Sequence, residues 1–178
     1  AKDKELSELA GYMIDEVSRI DDLLFQFLSL GDHKKQQMHS ENLGVIIDQC
    51  LALIEGERKK LDIQMRHVKD DVDLYALCNK NQIKQVIVNL LFNALQASRK
   101  GGKIIIKSYL ENNRCILSVK DFGKGIEDHQ LNKLFDPFFT TKDSGFGIGL
   151  FVVKKIIDDH GGRIEVQSTV NQGTEPKV

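Results

Sequence analysis

The sequence lacks an excess of charge of either sign. Its 178 residues include 25 Lys or Arg and 26 Asp or Glu, which gives a formal net charge of −1. Binding along the phosphate backbone of a nucleic acid depends on a one-sided positive field. The composition therefore argues against nucleic acid as a partner.

Long apolar runs are also missing. No stretch approaches the roughly 20 apolar residues that cross a bilayer, and the start shows no signal-peptide pattern. The three cysteines, Cys50, Cys78 and Cys115, are far apart in apolar contexts, which predicts buried thiols in a reducing compartment. We expect a cytoplasmic chain without membrane contact of its own. Because the sequence opens without Met, we expect a longer parent protein, and a membrane anchor upstream of this sequence is compatible with that expectation.

The first 30 residues carry the stripe of an amphipathic helix. From Leu6 to Phe27, apolar residues recur three or four positions apart with heptad character. Further apolar residues at 23–30 widen the stripe, which favours a multi-helix bundle. Gly31 and the polar residues after it end the helix. We therefore expect a bundle-forming helix at 1–31, a linker at 32–40 and a larger domain at 41–178.

The larger domain alternates helical and strand patterns. The predicted helices are 43–60, 80–99 and 148–159, and the predicted strands are 62–66, 72–77, 103–110, 114–120 and 163–169. Glu111-Asn112-Asn113 signals a hairpin between two of these strands. The expected fold class is α/β (α+β), a two-layer sandwich in which helices cover a mixed sheet. Pro176 fits poorly in a central strand, so we expect a trimmed, altered or frayed C-terminus.

Two asparagines share one face of the predicted helix 80–99. Asn89 and Asn93 are four residues apart, so their amides project from the same side. One interpretation is structural, because buried amides often link neighbouring elements. The other is that Asn93 offers its carbonyl oxygen to a Mg²⁺ ion that also holds phosphates, since this cation takes few protein ligands.

Asp121-Phe122-Gly123-Lys124-Gly125 directly follows a predicted strand. Turns use the same residues for their permissive backbone angles. Alternatively, an acceptor carboxylate at a strand end, with glycines that let a flat ring approach, suits the exocyclic amine of adenine. The segment Phe135 to Lys142 is an aromatic cluster, which either packs its own side chains as a loop or belongs to a site.

A second glycine-rich segment, Gly145-Phe146-Gly147-Ile148-Gly149-Leu150, leads straight into a helix. Backbone amides aimed from a helix N-terminus form a phosphate cradle. The segment is not a Walker loop, because no Gly-Lys-Ser/Thr follows, and it is not a Rossmann turn, because no strand immediately precedes it.

In order and spacing, these four segments resemble a known family. Residues 89–94, 121–125, 135–142 and 145–150 resemble the N, G1, F and G2 boxes of the ATPase domain that histidine kinases share with gyrase, Hsp90 and MutL. Residues 160–166 and Gly173-Thr174 resemble that family's closing strand and last glycine box. The resemblance covers about residues 37–175. It implies a Bergerat-type sandwich, with residues 127–146 as a lid over ATP.

Asn89 indicates the branch of that family. In the branches that hydrolyse ATP, the matching position is usually a Glu that activates water, and an amide cannot take that proton efficiently at neutral pH. The chain therefore resembles the sensor histidine kinases of two-component systems, and Phe135 to Lys142 resembles their nitrogen-regulator-like and sporulation-like subgroups. The implied activity is transfer of the ATP γ-phosphate to a histidine, for relay to the receiver domain of a response regulator.

The resemblance also implies site residues. Asn89 is expected to be catalytic, Asn93 to hold Mg²⁺ and Asp121 to fix adenine. The residues expected to contact ATP are Asn89, Asn93, Asp121, Gly123, Gly125, Ile126, Phe135, Thr140, Thr141, Lys142, Gly145, Gly147, Ile148, Gly149, Leu150 and Thr174. ATP and Mg²⁺ are the expected cofactors.

Residues 15–24 resemble the second helix of the dimerisation and histidine phosphotransfer hairpin, which implies a homodimer through this helix. The first helix, with its acceptor His followed by an acidic residue, is not in the sequence, and none of the five histidines has that setting. We therefore expect no autophosphorylation and a histidine-bearing hairpin as a partner. Two alternatives stay open: a nucleotide-sensing interaction module, and a serine kinase of the anti-sigma type.

Overall fold

The structure is a computed structural model that describes residues 37–70, 72–141 and 146–178. The predicted bundle helix at 1–31 and most of the predicted linker lie outside these ranges, so both stay predictions. Within the described ranges, no helix has the length and apolar character that a membrane crossing requires.

Strands and helices alternate through the described part of the chain. In chain order they are β1 (His39–Asn42), α1 (Leu43–Leu53), α2 (Glu55–Lys60), β2 (Gln64–Lys69), β3 (Tyr75–Cys78), α3 (Lys80–Ala97), β4 (Lys103–Glu111), β5 (Arg114–Asp121), α4 (Asp128–Leu131), α5 (Gly149–Asp159), β6 (Glu165–Thr169) and β7 (Gly173–Lys177).

A mixed sheet of five strands forms one layer, in the order β2-β4-β5-β7-β6. β2 runs parallel to β4, and the other neighbours pair antiparallel. β1 and β3 form a separate antiparallel pair. The predicted hairpin joins β4 to β5, and its residues Asn112 and Asn113 have φ of 49° and 62°. These left-handed values are typical of the tight hairpin turn that asparagine favours.

Helices α1, α3 and α5 form the second layer. α3 packs against α1, α5 and β5. Its buried residues follow helical spacing and are Val86, Ile87, Leu90, Leu91, Ala94 and Leu95. Ile104, Ile106 and Val119 of the sheet are fully buried. The core therefore lies between the helices and one sheet face, and the predicted sandwich of helices over a mixed sheet is confirmed.

The other sheet face carries polar contacts between β5 and β7. Lys120 Nζ lies 3.1 Å from Glu175 Oε2, and Ser118 Oγ donates to Glu175 Oε1 at 3.2 Å. These contacts link β5 to β7 on the side away from the helices.

The helices α1 and α3 begin at asparagine caps. Asn42 Oδ1 accepts from Val45 N at 3.2 Å, and Asn79 Oδ1 accepts from Asn81 N and Gln82 N at 3.0 Å each. Such caps satisfy backbone N–H groups that have no partner within the helix. Ile148 at the start of α5 provides no side-chain cap.

Two of the three cysteines are buried as predicted, namely Cys50 and Cys78, while Cys115 is intermediate. Burial raises the pKa of the Cys50 thiol to about 11. Cys50 is therefore a neutral thiol at physiological pH and acts as a small apolar side chain.

Several predicted boundaries were wrong. The predicted helix 43–60 is two helices, because the chain turns at buried Ile54, and Glu55 starts α2 with an ion pair to Arg58 at 2.7 Å. β2 begins only at Gln64, because Asp62 has φ of 54° and cannot extend a strand. β3 lies at Tyr75–Cys78 instead of 72–77. β1, α4 and β7 were not predicted.

β7 corrects the prediction for Pro176. This strand lies between β5 and β6, and Pro176 is buried within it. Val178 and Leu117 exchange two backbone hydrogen bonds of 2.9 Å each, and position 176 faces β5 as Val178 does because backbone groups alternate along a strand. The missing N–H of Pro176 therefore removes a bond toward β5 only. On the other side, β7 keeps its pairing with β6 from Gly173 to Lys177.

Candidate nucleotide-binding site

α3 presents its two asparagines near the start of α5. Both side chains are half-buried, and Asn89 Nδ2 donates to the backbone oxygen of Gly149 at 3.5 Å. Asn93 lies one turn further along α3 and is also engaged by a neighbour. The structure thus brings Asn89 of the first predicted motif against Gly149 of the last.

Asp121 occupies the end of β5 with only 3% of its surface exposed. Its Oδ1 accepts from Gly123 N at 2.9 Å and from Thr174 N at 3.3 Å. Two backbone donors from different segments therefore fix this carboxyl group where three predicted site residues meet.

Gly123 and Gly125 are required by backbone packing. A Cβ on Gly123 would lie 2.1 Å from the Ala97 carbonyl oxygen, and one on Gly125 would lie 2.1 Å from that of Thr169. Gly125 also has φ of 69°. From the sequence, these glycines are expected to let a flat ring approach the backbone. Their immediate role in the fold is to let the loop close against the end of α3 and the end of β6.

Ser168 was missed by the sequence analysis. Its Oγ accepts from the backbone N–H of Ile126 at 2.9 Å and lies 2.9 Å from Thr174 Oγ1, so it joins two predicted site residues. A serine in a short strand carries no motif signal. Only its place in the alternation of β6, on the same side as Val166, indicates that it faces the helices.

The aromatic segment packs against the second glycine-rich segment. Gly147 has φ of 66°, and a Cβ there would lie 2.4 Å from the carbonyl oxygen of Phe139. Phe135 is half-buried, whereas Phe138 is 74% exposed with φ of 67°. The two segments therefore meet through backbone, with Gly147 at the contact.

The other predicted residues differ in their surroundings. Ile148 is buried and Leu150 is half-buried at the start of α5, while Thr140 and Thr141 are exposed. Lys142 and Gly145 lie outside the described residues, so their expected roles stay predictions.

Gln85 is a second residue that the sequence analysis missed. It lies one turn before Asn89 on α3, and among the residues that the structure describes its buried Nε2 has no hydrogen-bond partner. Buried polar atoms usually have partners. The signal for Gln85 was its four-residue spacing from Asn89.

The described residues can be compared with the ligands that a Mg²⁺ ion would need. In the described ranges, no group of three or more His, Cys, Asp or Glu side chains could hold a metal. Mg²⁺ is commonly bound through one or two protein oxygens together with substrate phosphates and water. A single amide oxygen such as that of Asn93 fits that mode, and the described residues offer no all-protein metal cage.

The fold and this arrangement define a nucleotide-binding domain of the Bergerat type. Residues 78–178 match the family described as histidine kinase-, DNA gyrase B-, and HSP90-like ATPase. The chain therefore belongs to this family and carries the ATPase domain of its sensor histidine kinase branch. The resemblance drawn from the motifs is confirmed.

Two curated relatives are kinases. Sporulation kinase D of Bacillus subtilis is 34% identical over 165 residues, which is 92% of this chain and 32% of the relative. Sensor histidine kinase ZraS of Salmonella typhi is 34% identical over 170 residues, which is 95% of this chain and 37% of the relative. The chain thus spans about a third of the length of these relatives.

Solved structures agree with the fold. The catalytic domain of histidine kinase ThkA is 34% identical with a TM-score of 0.73, over 79% of this chain and 93% of that chain. ThkA in complex with the response regulator protein TrrA is 29% identical with a TM-score of 0.78, over 92% of this chain and 47% of that chain.

Proposed function

We propose that this chain binds ATP with Mg²⁺ and transfers the γ-phosphoryl group to a histidine, from which it passes to the receiver domain of a response regulator. The family and the sensor kinase relatives support this activity. Asn89 supports transfer over hydrolysis, because an amide does not act as a general base for water.

Phosphate binding is supported mainly by the lack of a side-chain cap at the start of α5. α5 is an 11-residue helix without a side-chain cap, whereas α1 and α3 are capped by asparagines. Backbone N–H groups at an uncapped N-terminus bind phosphate well. Asn89 lies beside this N-terminus through Gly149. We call Asn89, Asn93, Gly147 and Gly149 the phosphate-side cluster.

Adenine binding is supported mainly by the carboxyl group of Asp121, which two backbone hydrogen bonds hold in place. We call Asp121, Gly123, Ser168 and Thr174 the base-side cluster. Gly123 contacts the last residue of α3, Ala97. Asn89 lies eight residues earlier on α3, about 12 Å along the helix axis. An extended nucleotide would span this separation, with adenine against Asp121 and phosphates against Asn89.

Each residue has a proposed role in that arrangement. Asp121 accepts from the exocyclic amine of adenine, and Asn89 orients the phosphates. Asn93 would hold Mg²⁺, which supplies charge neutralisation for the phosphate oxygens. Phosphoryl transfer depends mainly on positioning and on such neutralisation. Ile126, Phe135, Thr140, Thr141, Lys142, Gly145, Ile148 and Leu150 are proposed to line the site or the lid at 127–146.

The proposed setting extends to residues outside the described ranges. We infer a bundle-forming helix at 1–31 that supports a homodimer, a linker at 32–40, and a histidine-bearing hairpin as acceptor. A receiver domain as partner is supported by the structure of ThkA in complex with the response regulator protein TrrA. We propose a cytoplasmic location for this part of the protein.

The first experiment measures ATP binding by calorimetry with and without Mg²⁺. Asn93→Ala should remove the Mg²⁺-dependent part of the affinity, because the proposed protein ligand is lost. Asn81→Ala is the matched control, since Asn81 is an exposed asparagine at the start of the same helix. Equal behaviour of the two variants would contradict the metal assignment.

A second experiment tests transfer. The chain is incubated with radiolabelled ATP and a purified histidine-bearing hairpin of a related sensor kinase. Acid-labile label on the hairpin supports the proposed function. Binding of ATP without labelling would favour a nucleotide-sensing module, phosphoserine on a partner would favour a serine kinase, and absence of ATP binding would overturn the proposal.

A further inference from the structure

Ser168 joins three segments through one hydroxyl group. Its Oγ accepts from Ile126 N at 2.9 Å, donates to the Gly173 carbonyl oxygen at 3.0 Å and lies 2.9 Å from Thr174 Oγ1. These contacts connect β6 to the end of the Asp121 loop and to the start of β7. Ser168 is therefore the member of the base-side cluster that links β6, the Asp121 loop and β7.

The direction of each bond follows from proton accounting. A serine hydroxyl has one proton to donate and two lone pairs to accept with. A carbonyl oxygen can only accept, so the Ser168 proton goes to Gly173. A backbone N–H can only donate, so Ile126 uses one lone pair of Ser168. The remaining lone pair faces Thr174, whose own hydroxyl proton must therefore point to Ser168.

This arrangement changes what Thr174 can offer a ligand. Thr174 lies next to Asp121, because its backbone N–H donates to Asp121 Oδ1 at 3.3 Å. With its proton committed to Ser168, Thr174 Oγ1 retains only acceptor capacity. Asp121 already acts as an acceptor from two backbone donors. The base-side cluster thus presents acceptors to a ligand, and no hydroxyl proton.

We propose that Ser168 is a positioning residue that makes this site select a 6-amino purine over a 6-oxo purine. The amine of adenine donates hydrogen bonds, which matches two acceptors. The 6-oxo group of hypoxanthine or guanine accepts, and it would face Asp121 and Thr174 without a donor. A polar group left unpaired in a site is a strong basis for discrimination. The inference rests on the proposed function, since it assumes that ATP occupies this site.

The test compares ATP with ITP, which differs from ATP at the 6-position of the base and in the N1 proton. Ser168→Ala frees the Thr174 proton to donate to a 6-oxo group. The ratio of ATP to ITP affinity should fall roughly fivefold to tenfold, the size expected for one neutral hydrogen bond. Most of the change should be a gain in ITP affinity, measured by calorimetry.

Three further variants isolate the mechanism. Ser168→Thr keeps the hydroxyl and should keep the ratio. Thr174→Val should lower the ratio, and adding Ser168→Ala to it should cause no further change, because the two residues act in one chain. Ser118→Ala is the matched control. Ser118 is a buried strand serine bonded to β7, but through Glu175 on the opposite sheet face.

The outcomes separate this inference from the proposed function. If the unchanged protein does not bind ATP, the proposed function fails. If it binds ATP but Ser168→Ala lowers ATP and ITP affinity by the same factor, Ser168 is only structural and the inference is overturned. Should Ser168→Ala fail to fold, Thr174→Val decides: an unchanged ratio there also overturns the inference.

Discussion

The base-side and phosphate-side clusters differ in how firmly the protein itself holds them. On the base side, Asp121 is 3% exposed and accepts two backbone hydrogen bonds, and Ser168 makes three contacts of 2.9–3.0 Å. On the phosphate side, Asn89 reaches Gly149 at 3.5 Å, the upper limit of a hydrogen bond. Nearby Phe138 is 74% exposed.

This difference predicts that the two clusters have different functions in the proposed site, base selectivity on one side and phosphate binding on the other. A preformed set of hydrogen-bonding groups provides specificity without an ordering cost when the ligand binds. The base side has that character. The uncapped start of α5 has backbone donors that a ligand can complete. We therefore expect substitutions on the base side to affect folding and selectivity, and those on the phosphate side to affect mainly affinity for phosphates.

The largest effect is expected from Gly125→Ala. The new Cβ would meet the Thr169 carbonyl at 2.1 Å in a backbone with φ of 69°, so the free energy of unfolding should fall by about 3 kcal/mol or more. Gly101→Ala is the control, because Gly101 has φ of 77° with nothing within 4 Å, and it should lose about 1 kcal/mol. Urea unfolding measures both. Equal losses would show that the base side is not rigidly packed.

Asp121→Asn should weaken ATP binding by about 2 kcal/mol, roughly thirtyfold, the value of a hydrogen bond to a charged group. The amide keeps one oxygen for Gly123 and Thr174, so the fold should survive. Its NH₂ group, however, would face the amine of adenine, and two donors cannot form a hydrogen bond with each other. Calorimetry with ATP measures the loss, and Asp159→Asn at an exposed position of α5 is the control. A similar loss of ATP affinity in both variants would contradict the proposed contact between Asp121 and adenine.

Gly149→Ala should separate folding from phosphate binding. A Cβ there would lie 3.8 Å from Asn89 Oδ1, an ordinary contact, so stability should be unchanged or slightly higher. If phosphates approach this backbone, ATP affinity should fall by about 1 kcal/mol, as for one backbone hydrogen bond. Adenosine affinity should not change. Gly56→Ala in α2, which meets nothing within 4 Å, is the control. Equal losses for ATP and adenosine would disprove a phosphate contact.

The smallest effect concerns pH and lies away from both clusters. Burial lowers the pKa of His67, Asp48 at 3.7 Å opposes the shift, and Lys69 adds to it. The unfolded chain therefore takes up a proton at a higher pH than the folded chain, and stability should decrease as the pH falls below about 6.5. His67→Gln should flatten this decrease, measured by urea unfolding at several pH values, with ATP affinity unchanged.

His129→Gln is the control for that measurement. His129 is exposed in the short helix α4, with Glu127 at 3.2 Å. This variant keeps His67, so the decrease in stability at low pH should persist in it. A flattened curve with His129→Gln, or an unaltered one with His67→Gln, would contradict the assignment to His67.

Long periodic patterns made much of the fold predictable from sequence. The helix α3 and the hairpin of β4 and β5 were predicted within one or two residues at each end, because helical spacing in α3 and the Asn112-Asn113 turn are local signals. The four-residue elements β1 and α4 were not predicted, since so few residues show no period. The break at Ile54 and the position of Pro176 depend on burial and strand order, which are tertiary properties.

The candidate site shows the same limit. Its proposed motif residues stand out in the sequence, because their order and spacing resemble the boxes of the family. Ser168 could not, because its contacts with Ile126 cross 42 positions of the chain. For Gln85 the sequence offers only its four-residue spacing from Asn89, and the packed structure is needed to show its buried nitrogen.

The place of β7 in the sheet also has a consequence for the order of events in synthesis. Asp121 leaves the ribosome 53 residues before Thr174, whose backbone N–H it accepts from. A nascent chain that ends before β7 has α3 and β5 but lacks the strand that separates β5 from β6. Such distant pairings form late, because the chain loses the entropy of closing the intervening loop before the stabilising contacts are made. Nucleotide binding should therefore appear only when the last strand docks, and bound ATP should slow amide exchange in β6 and β7 more than in α1.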